Sequence, residues 1–442
     1  MNPSQETLER FADSLSELPA PGDDRSDKAR LKSATRAFLA RLNRQMAVDL
    51  DTCIHCGMCS EACHYYITTE NERFTPAHRI DPLRQFYRRE VSPLRFAYRL
   101  FVRKLDLEQL SNWRELVYDS CTACGRCDMM CPMGINLSNG INIMRDGLAA
   151  AGLAPAEMRA QKEEQRSAGT HFGVDRKAFE AVVAELDAAG VPIPLDKDAA
   201  DVFVLTSAVD IRLFPSSVSA LARIMNATGA DWTMSTRAFD ALNPGMISGD
   251  RSSRLESVTN IVEQATACGA TTVVVPESGH AYQALRWHAA NLTGNALPFE
   301  VLSIAEFTAD AIKGGRLRLN AAENLSTVTY HDPCRLGRQS GVFDEPREVL
   351  EAMGLDLRET ASNKRENLCC GGGCGEFVIS ENRNLRQRAF ELKKHEIDDT
   401  DADAVVTGCN SCRLNFLTGA ANDGWGKPIL SFAETVAGQI AD

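Results

Sequence analysis

CIHCGMCSEAC at residues 53–63 and CTACGRCDMMC at residues 121–131 decide the N-terminal fold of this 442-residue chain. Each stretch places four cysteines at the spacing C-x2-C-x2-C-x3-C. Three thiolates separated by two residues on one tight loop can cover three corners of a cubane 4Fe-4S cluster, and the displaced fourth cysteine characteristically reaches the other cluster. The two runs therefore predict two 4Fe-4S cubane clusters in a helical, ferredoxin-like N-terminal domain.

An exchange of the fourth ligand divides the eight cysteines into two predicted sets. The set for cluster 1 is Cys53, Cys56, Cys59 and Cys131, and the set for cluster 2 is Cys121, Cys124, Cys127 and Cys63. Gly57 and Gly125 follow the second cysteine of each run and are predicted to let backbone amides approach the clusters. A pair of zinc sites is the alternative, but two such compact runs favour iron–sulfur clusters. His64 is interpreted as a packed or hydrogen-bonding residue.

The bulk composition excludes several classes of protein. The formal net charge of −12 argues against nucleic-acid binding, because that function requires a basic surface. No stretch approaches the roughly 18 apolar residues that a membrane span needs. Residues 1–28 carry acids throughout and have no apolar core, so we expect no signal peptide and a cytoplasmic location, with membrane association only through partner subunits. Fifteen cysteines in such a chain indicate metal rather than disulfides.

Composition and motif positions divide the chain into five predicted segments. These are an N-terminal extension at 1–47, a two-cluster ferredoxin-type domain at 48–150, a helical linker at 151–195, and two halves of a C-terminal region at 196–320 and 321–442. The extension is expected to have an acidic, mobile start and an amphipathic helix over 29–46. The domain carries a helical insert at 64–120, which Pro82 and Pro93 are expected to divide into short pieces.

Basic and aromatic residues alternate between residues 84 and 104 of the insert. This pattern favours a solvated helical face. Docking of an acidic partner or of a membrane subunit is the alternative interpretation.

The C-terminal region alternates strand-like with helical segments, which predicts an α/β fold with parallel strands. The predicted strands are 202–205, 272–275, 327–331 and 404–407, and the predicted helices are 216–227, 254–268, 346–353 and 383–396. The region also looks duplicated, because residues 265–285 can be laid over 396–416. In that overlay Ser278 lies opposite Cys409 and Ala281 lies opposite Cys412.

A second cysteine set occupies the last part of the chain. It consists of Cys334, the adjacent pair Cys369 and Cys370, and then Cys409 and Cys412. Adjacent cysteines do not easily share one small tetrahedral ion, so the set favours a larger or irregular cluster. Gly371 and Gly372 follow the pair and allow the backbone to wrap an inorganic core. The glycine loop lacks the strand–GxGxxG–helix order of a dinucleotide site.

These motifs resemble a known family. HDPC at 331–334, CCGGG at 369–373 and CNSC at 409–412 resemble the CCG domain of the heterodisulfide reductase family. CHYY at 63–66 and LRQFYRRE at 83–90 resemble one branch of it, the heterodisulfide-reductase-D-like subunit of the Dsr and Tmc membrane redox complexes of sulfur metabolism. The resemblance implies a duplicated α/β CCG domain, with a degenerate first half at 196–320 and a complete second half at 321–442.

The resemblance also implies a third cofactor and a reaction. A non-cubane 4Fe-4S cluster (cluster 3) on Cys334, Cys369, Cys370, Cys409 and Cys412 would perform thiol–disulfide redox chemistry. Catalytic relatives carry two such sites, whereas Ser278 stands where relatives in this branch often have cysteine. His331 and His280 are candidates for proton delivery. Cys374 is either an extra thiol near the cluster or a packed residue, and Cys268 is interpreted as structural.

Three functions are therefore weighed. In the first, an oxidoreductase subunit passes electrons through two cubanes to or from the CCG site, where a disulfide or thiol substrate reacts. In the second, the chain is an electron relay without its own substrate, linking a flavoprotein dehydrogenase to a quinone-reducing membrane cytochrome b. In the third, the CCG cluster is structural or regulatory. A solvent-open pocket at Cys334, Cys370 and Cys409 would support the first function, and burial of these cysteines would support the other two.

Overall fold

A computed structural model describes residues 2–16, 18–323 and 325–441. Its N-terminal part is helical. The helices are α1 Gln5–Ser16, α2 Asp27–Arg41, α3 Arg44–Thr52, α4 His64–Thr69, α5 Pro76–Glu90, α6 Arg95–Phe101, α7 Leu107–Arg114, α8 Arg126–Met130, α9 Leu137–Ala150, α10 Ala156–Ala168 and α11 Arg176–Ala188. The helical ferredoxin-like domain expected from the cysteine runs is confirmed.

Two units of strands and helices follow. The first contains β1 Val202–Val204, α12 Ala208–Leu213, α13 Pro215–Ala227, β2 Trp232–Thr233, α14 Pro244–Ser248, α15 Arg251–Ala267, β3 Thr272–Val275, α16 Gly279–Gln283, α17 Ala289–Thr293, β4 Glu300–Ser303 and α18 Ile304–Lys313. The second contains β5 Thr327–His331, α19 Glu345–Ala352, β6 Asp356–Leu357, α20 Arg383–Asp398, β7 Ala404–Thr407, α21 Asn410–Asp423, β8 Ile429–Ser431 and α22 Phe432–Ala437. The predicted α/β alternation is confirmed.

The two units have the same sheet topology. Their strand orders are β2-β1-β3-β4 and β6-β5-β7-β8, and all paired strands are parallel. Apolar side chains from both sheets belong to one continuous core. Buried polar contacts also join the units, since Asn410 donates to Asp210 over 2.5 Å and Arg413 donates to Ser217 over 3.1 Å. The domain boundaries stay predictions.

The N-terminal extension differs from its prediction. The expected mobile start instead forms α1, whose Leu8, Phe11 and Leu15 are buried, because they recur on one helical face. The helix expected over 29–46 is broken into α2 and α3, since the side chain of Asn43 accepts a hydrogen bond from the Met46 amide and begins a new helix.

A further expectation is corrected within the helical part. Pro82 lies inside α5 and does not divide the insert, whereas Pro93 lies between α5 and α6 as expected. Among the described residues, no helix is long and apolar enough to cross a membrane.

Candidate metal centres

The first cysteine run lies between the end of α3 and the start of α4. Cys53 ends α3, Cys59 lies in a short 3-10 helix, and Cys63 precedes α4. Gly57 has a φ of 82°, a left-handed conformation that glycine adopts without strain. Cys56 is exposed, so one edge of this site faces solvent.

The two runs cross over at their fourth cysteines. Burial raises the pKa of Cys59, and the charges of Cys53, Cys131 and Cys56 raise it further, which places these sulfurs around it. The contacts thus bring Cys131 of the second run to the first, as the exchanged assignment to cluster 1 expects. The assignment of ligands to clusters itself stays a prediction.

The cysteines predicted to hold cluster 2 line a separate cavity. It is lined by Cys63, Cys121, Cys124 and Cys127, together with His64 and Arg79. The buried Arg79 guanidinium donates to the Cys63 sulfur over 3.3 Å. Burial opposes the charge of Arg79, but the sulfurs of Cys63, Cys121 and Cys127 outweigh it and raise the pKa of Arg79. Four sulfurs and a buried cation fit an anionic cluster better than an empty apolar cavity.

The exchanged assignment can be tested with paired substitutions. Cys63→Ala combined with Cys121→Ala is expected to lose about as much iron as Cys121→Ala alone, about four atoms, because both remove one cluster. Cys63→Ala combined with Cys53→Ala should lose about eight iron atoms, since the two substitutions affect two different clusters. Iron and sulfide analysis of the purified chains measures both values. The opposite pattern would place Cys63 in cluster 1.

The CCG cysteines meet at the carboxyl edge of the second sheet. Cys334 follows β5, and Cys409 follows the neighbouring strand β7 and begins α21. Because adjacent parallel strands end at the same edge, the two cysteines converge there. Cys412 lies on the first turn of α21, and the loop that carries Cys369 and Cys370 covers them.

Two glycines make this loop possible. Gly371 has a φ of 94°, and a Cβ there would lie 2.6 Å from the Ala389 Cβ. At Gly372 a Cβ would lie 2.5 Å from the Asn415 Cβ. Their amides donate to the sulfurs of Cys369 and Cys370 over 3.4 Å and 3.5 Å, respectively. The predicted role of these glycines therefore has a steric basis.

The five sulfurs form one connected group. Hydrogen bonds with Cys124, Cys334 and Cys370 raise the pKa of the Cys369 thiol. A hydrogen bond from Cys369 in turn lowers the pKa of Cys370, which also contacts Cys412 and His331. Cys409 contacts Cys412. Such a dense, irregular sulfur set fits a cluster with spread iron atoms.

One contact links this group to the second cysteine run. Ligand atoms of His64, Cys124 and Cys369 all lie within 4.8 Å of one another. A hydrogen bond from Cys369 is the largest cause that lowers the pKa of Cys124. The sequence pattern did not predict this junction and indicated only a packed or hydrogen-bonding role for His64. No local signal pairs residues so far apart in the chain.

Comparisons with known proteins agree with this geometry. Residues 49–135 match the model of a 4Fe-4S dicluster domain. Residues 328–417 match the model of the CCG cysteine-rich domain. The D-type subunit of the "Dihydromethanophenazine:CoB--CoM heterodisulfide reductase" of Methanosarcina mazei is 29% identical over 380 residues, which cover 84% of this chain and 89% of the relative.

Over most of its length the chain is therefore similar to the D-type subunit of heterodisulfide reductases. It is also 25% identical to the "Hdr-like menaquinol oxidoreductase iron-sulfur subunit 2" of Archaeoglobus fulgidus, over 78% of this chain and 71% of that one. The "EtfAB:quinone oxidoreductase" of Syntrophomonas wolfei is 26% identical over 83% of this chain and 54% of its own length. The chain is therefore an iron–sulfur electron-transfer subunit related to heterodisulfide reductases and to menaquinol and quinone oxidoreductases.

The described residues of the first α/β unit lack the cysteine set of the second unit. In the overlay of the two units, Val273 lies over Ala404. Val273 pairs with Phe203 and Ala404 pairs with Val328, so Phe203 corresponds to Val328. Counting six residues on from each, Val209 corresponds to Cys334. Val209 and Ala281 are buried apolar residues, and the Ser278 side chain accepts from the Ala281 amide at the start of α16. The described residues at these positions offer no thiolate, and their side chains serve packing and helix capping.

The two histidine candidates lie in buried surroundings. Burial, together with the charges of Arg335 and Arg145, lowers the pKa of His280 to about 3. Burial also lowers the pKa of His331, while its hydrogen bond with Cys370 opposes that effect. Both imidazoles are therefore neutral near pH 7. A neutral imidazole can accept a proton but has no imidazolium proton to donate. Their roles in proton delivery stay predictions.

Cys374 is held by two arginines. Its sulfur accepts from Arg145 over 2.8 Å and from Arg335 over 3.4 Å. Burial opposes ionisation of Cys374, but these two cations outweigh it and lower the pKa of the thiol. Cys268 instead lies in the apolar core, where its sulfur contacts the Ala265 carbonyl oxygen over 3.3 Å. That surrounding fits a structural role.

Proposed function

We propose that this chain relays electrons through three iron–sulfur clusters, in the order cluster 1, cluster 2 and cluster 3, between partner subunits. The contact between Cys124 and Cys369 carries the proposal. It sets a sulfur of the second predicted ligand set directly against a sulfur of the third. A chain of adjoining sulfur sites is what efficient electron transfer requires.

The donor sets fit the proposed cofactors. Two cubanes would be held by the crossed sets of four cysteines and a non-cubane 4Fe-4S cluster by the five CCG cysteines. When bound, such clusters supply one-electron transfer at potentials set by charge, hydrogen bonds to sulfur and burial. In this chain Arg79 and the amides of Gly371 and Gly372 are the groups that would tune those potentials.

Burial of the third site favours a relay over substrate chemistry. The five CCG cysteines are at most 8% exposed, the largest value being that of Cys334. Cys56 at the first site is exposed, so electrons would be exchanged with a partner at that end. By analogy with the quinone and menaquinol oxidoreductases among the relatives, we propose a flavoprotein and a membrane cytochrome b as partners, with the chain on the cytoplasmic side.

A second candidate is thiol–disulfide chemistry at the CCG site. Two electrons and two protons would convert a disulfide into two thiols, or the reverse reaction would oxidise them. A cleft of about 770 Å³ favours it. Six arginines and Asp128 line this cleft, and they include Arg335, the neighbour of Cys334. None of the five CCG cysteines lines the cleft, so a small disulfide would have to pass Arg335 to reach them.

An EPR experiment separates the two candidates. The oxidised, cluster-loaded chain is incubated with dithiothreitol or glutathione, and spectra are compared with and without thiol. The relay predicts no thiol-dependent paramagnetic signal, because burial of the five CCG cysteines would keep a thiol away from a cluster that they hold. A thiol-dependent signal that disappears in Cys370→Ala would overturn the relay in favour of disulfide chemistry.

A further inference from the structure

Helix α6 and the residue before it expose an unusual amount of apolar surface. Leu94, Phe96, Leu100 and Phe101 are 56%, 71%, 80% and 85% exposed. The helix has no buried residue among those described. Single exposed apolar residues are ordinary, but four within eight positions form a patch that marks an interaction surface.

These apolar residues share one side of the helix. At about 100° per residue, the four side chains fall within roughly 160° of arc. Tyr98 lies outside that arc, and its ring contacts the Arg88 guanidinium on α5 at 5.5 Å. Arg95 and Arg99 fall between the side that faces α5 and the apolar side. The helix is therefore amphipathic, with a row of cations at the edge of its apolar face.

The surroundings of α6 are strongly basic. Residues 84–104 contain seven arginines and lysines and one acid, Glu90, which gives a net charge of +6 in a chain of net charge −12. Arg99 pairs with Glu90 over 3.4 Å and Arg103 pairs with Asp106 over 2.8 Å. Arg84, Arg88 and Arg89 also pair, with Asp81, Asp51 and Glu90, respectively. Arg95 and Lys104 have no ion pair among the described residues, so the basic residues still outnumber the acids that they contact, and this surface keeps a sign opposite to that of the whole chain.

The helix is fixed close to the first cluster site. On α5, Arg84 donates to the Cys53 carbonyl oxygen over 3.1 Å, and Arg89 donates to the Val102 carbonyl oxygen over 2.6 Å. The loop that carries Cys53 and the end of α6 thus lie on neighbouring turns of one helix. Ile54 and Met58 beside the exposed Cys56 are also exposed. Exposed apolar residues therefore also flank the accessible edge of the first site.

We infer that α6 and its basic flanks bind the surface of an anionic lipid bilayer. Phenylalanine and leucine on one face with arginine beside them are typical of helices that lie in the membrane interface. Basic residues within a Debye length of anionic headgroups add attraction. The face is a convex helix surface, which suits the headgroup layer better than the groove of a protein partner. Binding would hold the first cluster site near membrane-embedded electron carriers.

Vesicle co-sedimentation of the full, cluster-loaded chain tests this inference. We expect binding to phosphatidylcholine vesicles that contain phosphatidylglycerol to be at least about tenfold stronger than to pure phosphatidylcholine vesicles. The double variant Phe96→Ser/Phe101→Ser and the double variant Arg95→Gln/Arg99→Gln should each lose about tenfold or more of that binding. Added salt should weaken the binding of the parent chain to the anionic vesicles.

The matched control is Trp287→Ser/Leu255→Ser, which removes exposed apolar residues of the first α/β unit. It should bind vesicles as the parent chain does, and all variants should keep their cluster absorbance because the substituted side chains are exposed. No preference of the parent for anionic vesicles, or equal binding by the α6 variants, would overturn the inference. Binding to a purified membrane partner in detergent, with no binding to vesicles, would also overturn the inference. It would show that α6 docks a protein rather than a lipid surface.

Discussion

Replacement of Arg145 by methionine is expected to lower the free energy of unfolding by about 3–5 kcal/mol, because it removes a buried cation from several acceptors at once. Arg145 on α9 is 1% exposed. It donates to the carbonyl oxygens of Val117 and Cys121, each over 2.7 Å, and of Ile247 over 2.9 Å, as well as to the Cys374 sulfur. It therefore ties the ferredoxin-like part to both α/β units.

Urea denaturation followed by circular dichroism measures this effect. Arg166→Met on the exposed side of α10 is the matched control and should change stability by less than about 0.5 kcal/mol, since its pair with Glu163 is a surface pair. The loss of stability in Arg145→Lys should lie between those of Arg145→Met and Arg166→Met, because lysine keeps the charge but has fewer hydrogen-bond donors. A midpoint of Arg145→Met equal to that of the parent would show that these contacts contribute nothing to stability.

The Cys370→Ala variant is expected to lose about four of about twelve iron atoms per chain while both cubanes remain. Cys370 contacts Cys369, Cys412 and His331 at the centre of the third sulfur group, so its loss should prevent assembly there. The ferredoxin cysteines lie outside that group except for Cys124. Iron and sulfide analysis, with EPR of the dithionite-reduced chain, measures both outcomes.

Two cysteine variants control that measurement. Cys268→Ala removes a buried thiol from the apolar core and should keep all iron. Cys374→Ala should also keep it, because the contacts of this sulfur are with Arg145 and Arg335 rather than with the CCG cysteines. If Cys370→Ala retained full iron, or if Cys374→Ala lost as much as Cys370→Ala, the predicted five-cysteine ligand set would be wrong.

Much of the fold was accessible from sequence, because its signals are local. The buried strands β3, β5 and β7 lie at the predicted residues, since short apolar runs between turn residues leave few alternatives. The break between α2 and α3 was missed, although Asn43 is a good N-cap and carried the signal. Helix α1 was missed because its polar and acidic residues outnumber the apolar ones that anchor it.

The sequence predicted which cysteines would lie close together but not how the groups of cysteines connect. Cysteine spacing pointed to the sulfur groups that the fold brings together. The junction of Cys124 with Cys369 depends on how the helical part packs against the second α/β unit, which no local pattern encodes. The same holds for Arg145, whose partners lie far along the chain. Burial of the CCG cysteines is likewise a tertiary property, and it favours the relay over substrate chemistry.

Rapid-freeze Mössbauer spectroscopy of the chain loaded with iron-57 tests the central claim most directly. Flavodoxin hydroquinone, a protein-sized donor, reaches the exposed Cys56 edge but not the buried CCG cysteines. The relay predicts that iron at the CCG site changes oxidation state in the parent chain. It also predicts that this change is lost in Cys121→Ala, which removes the second cluster and keeps the other two. Equally fast reduction of the CCG iron in Cys121→Ala would contradict the account.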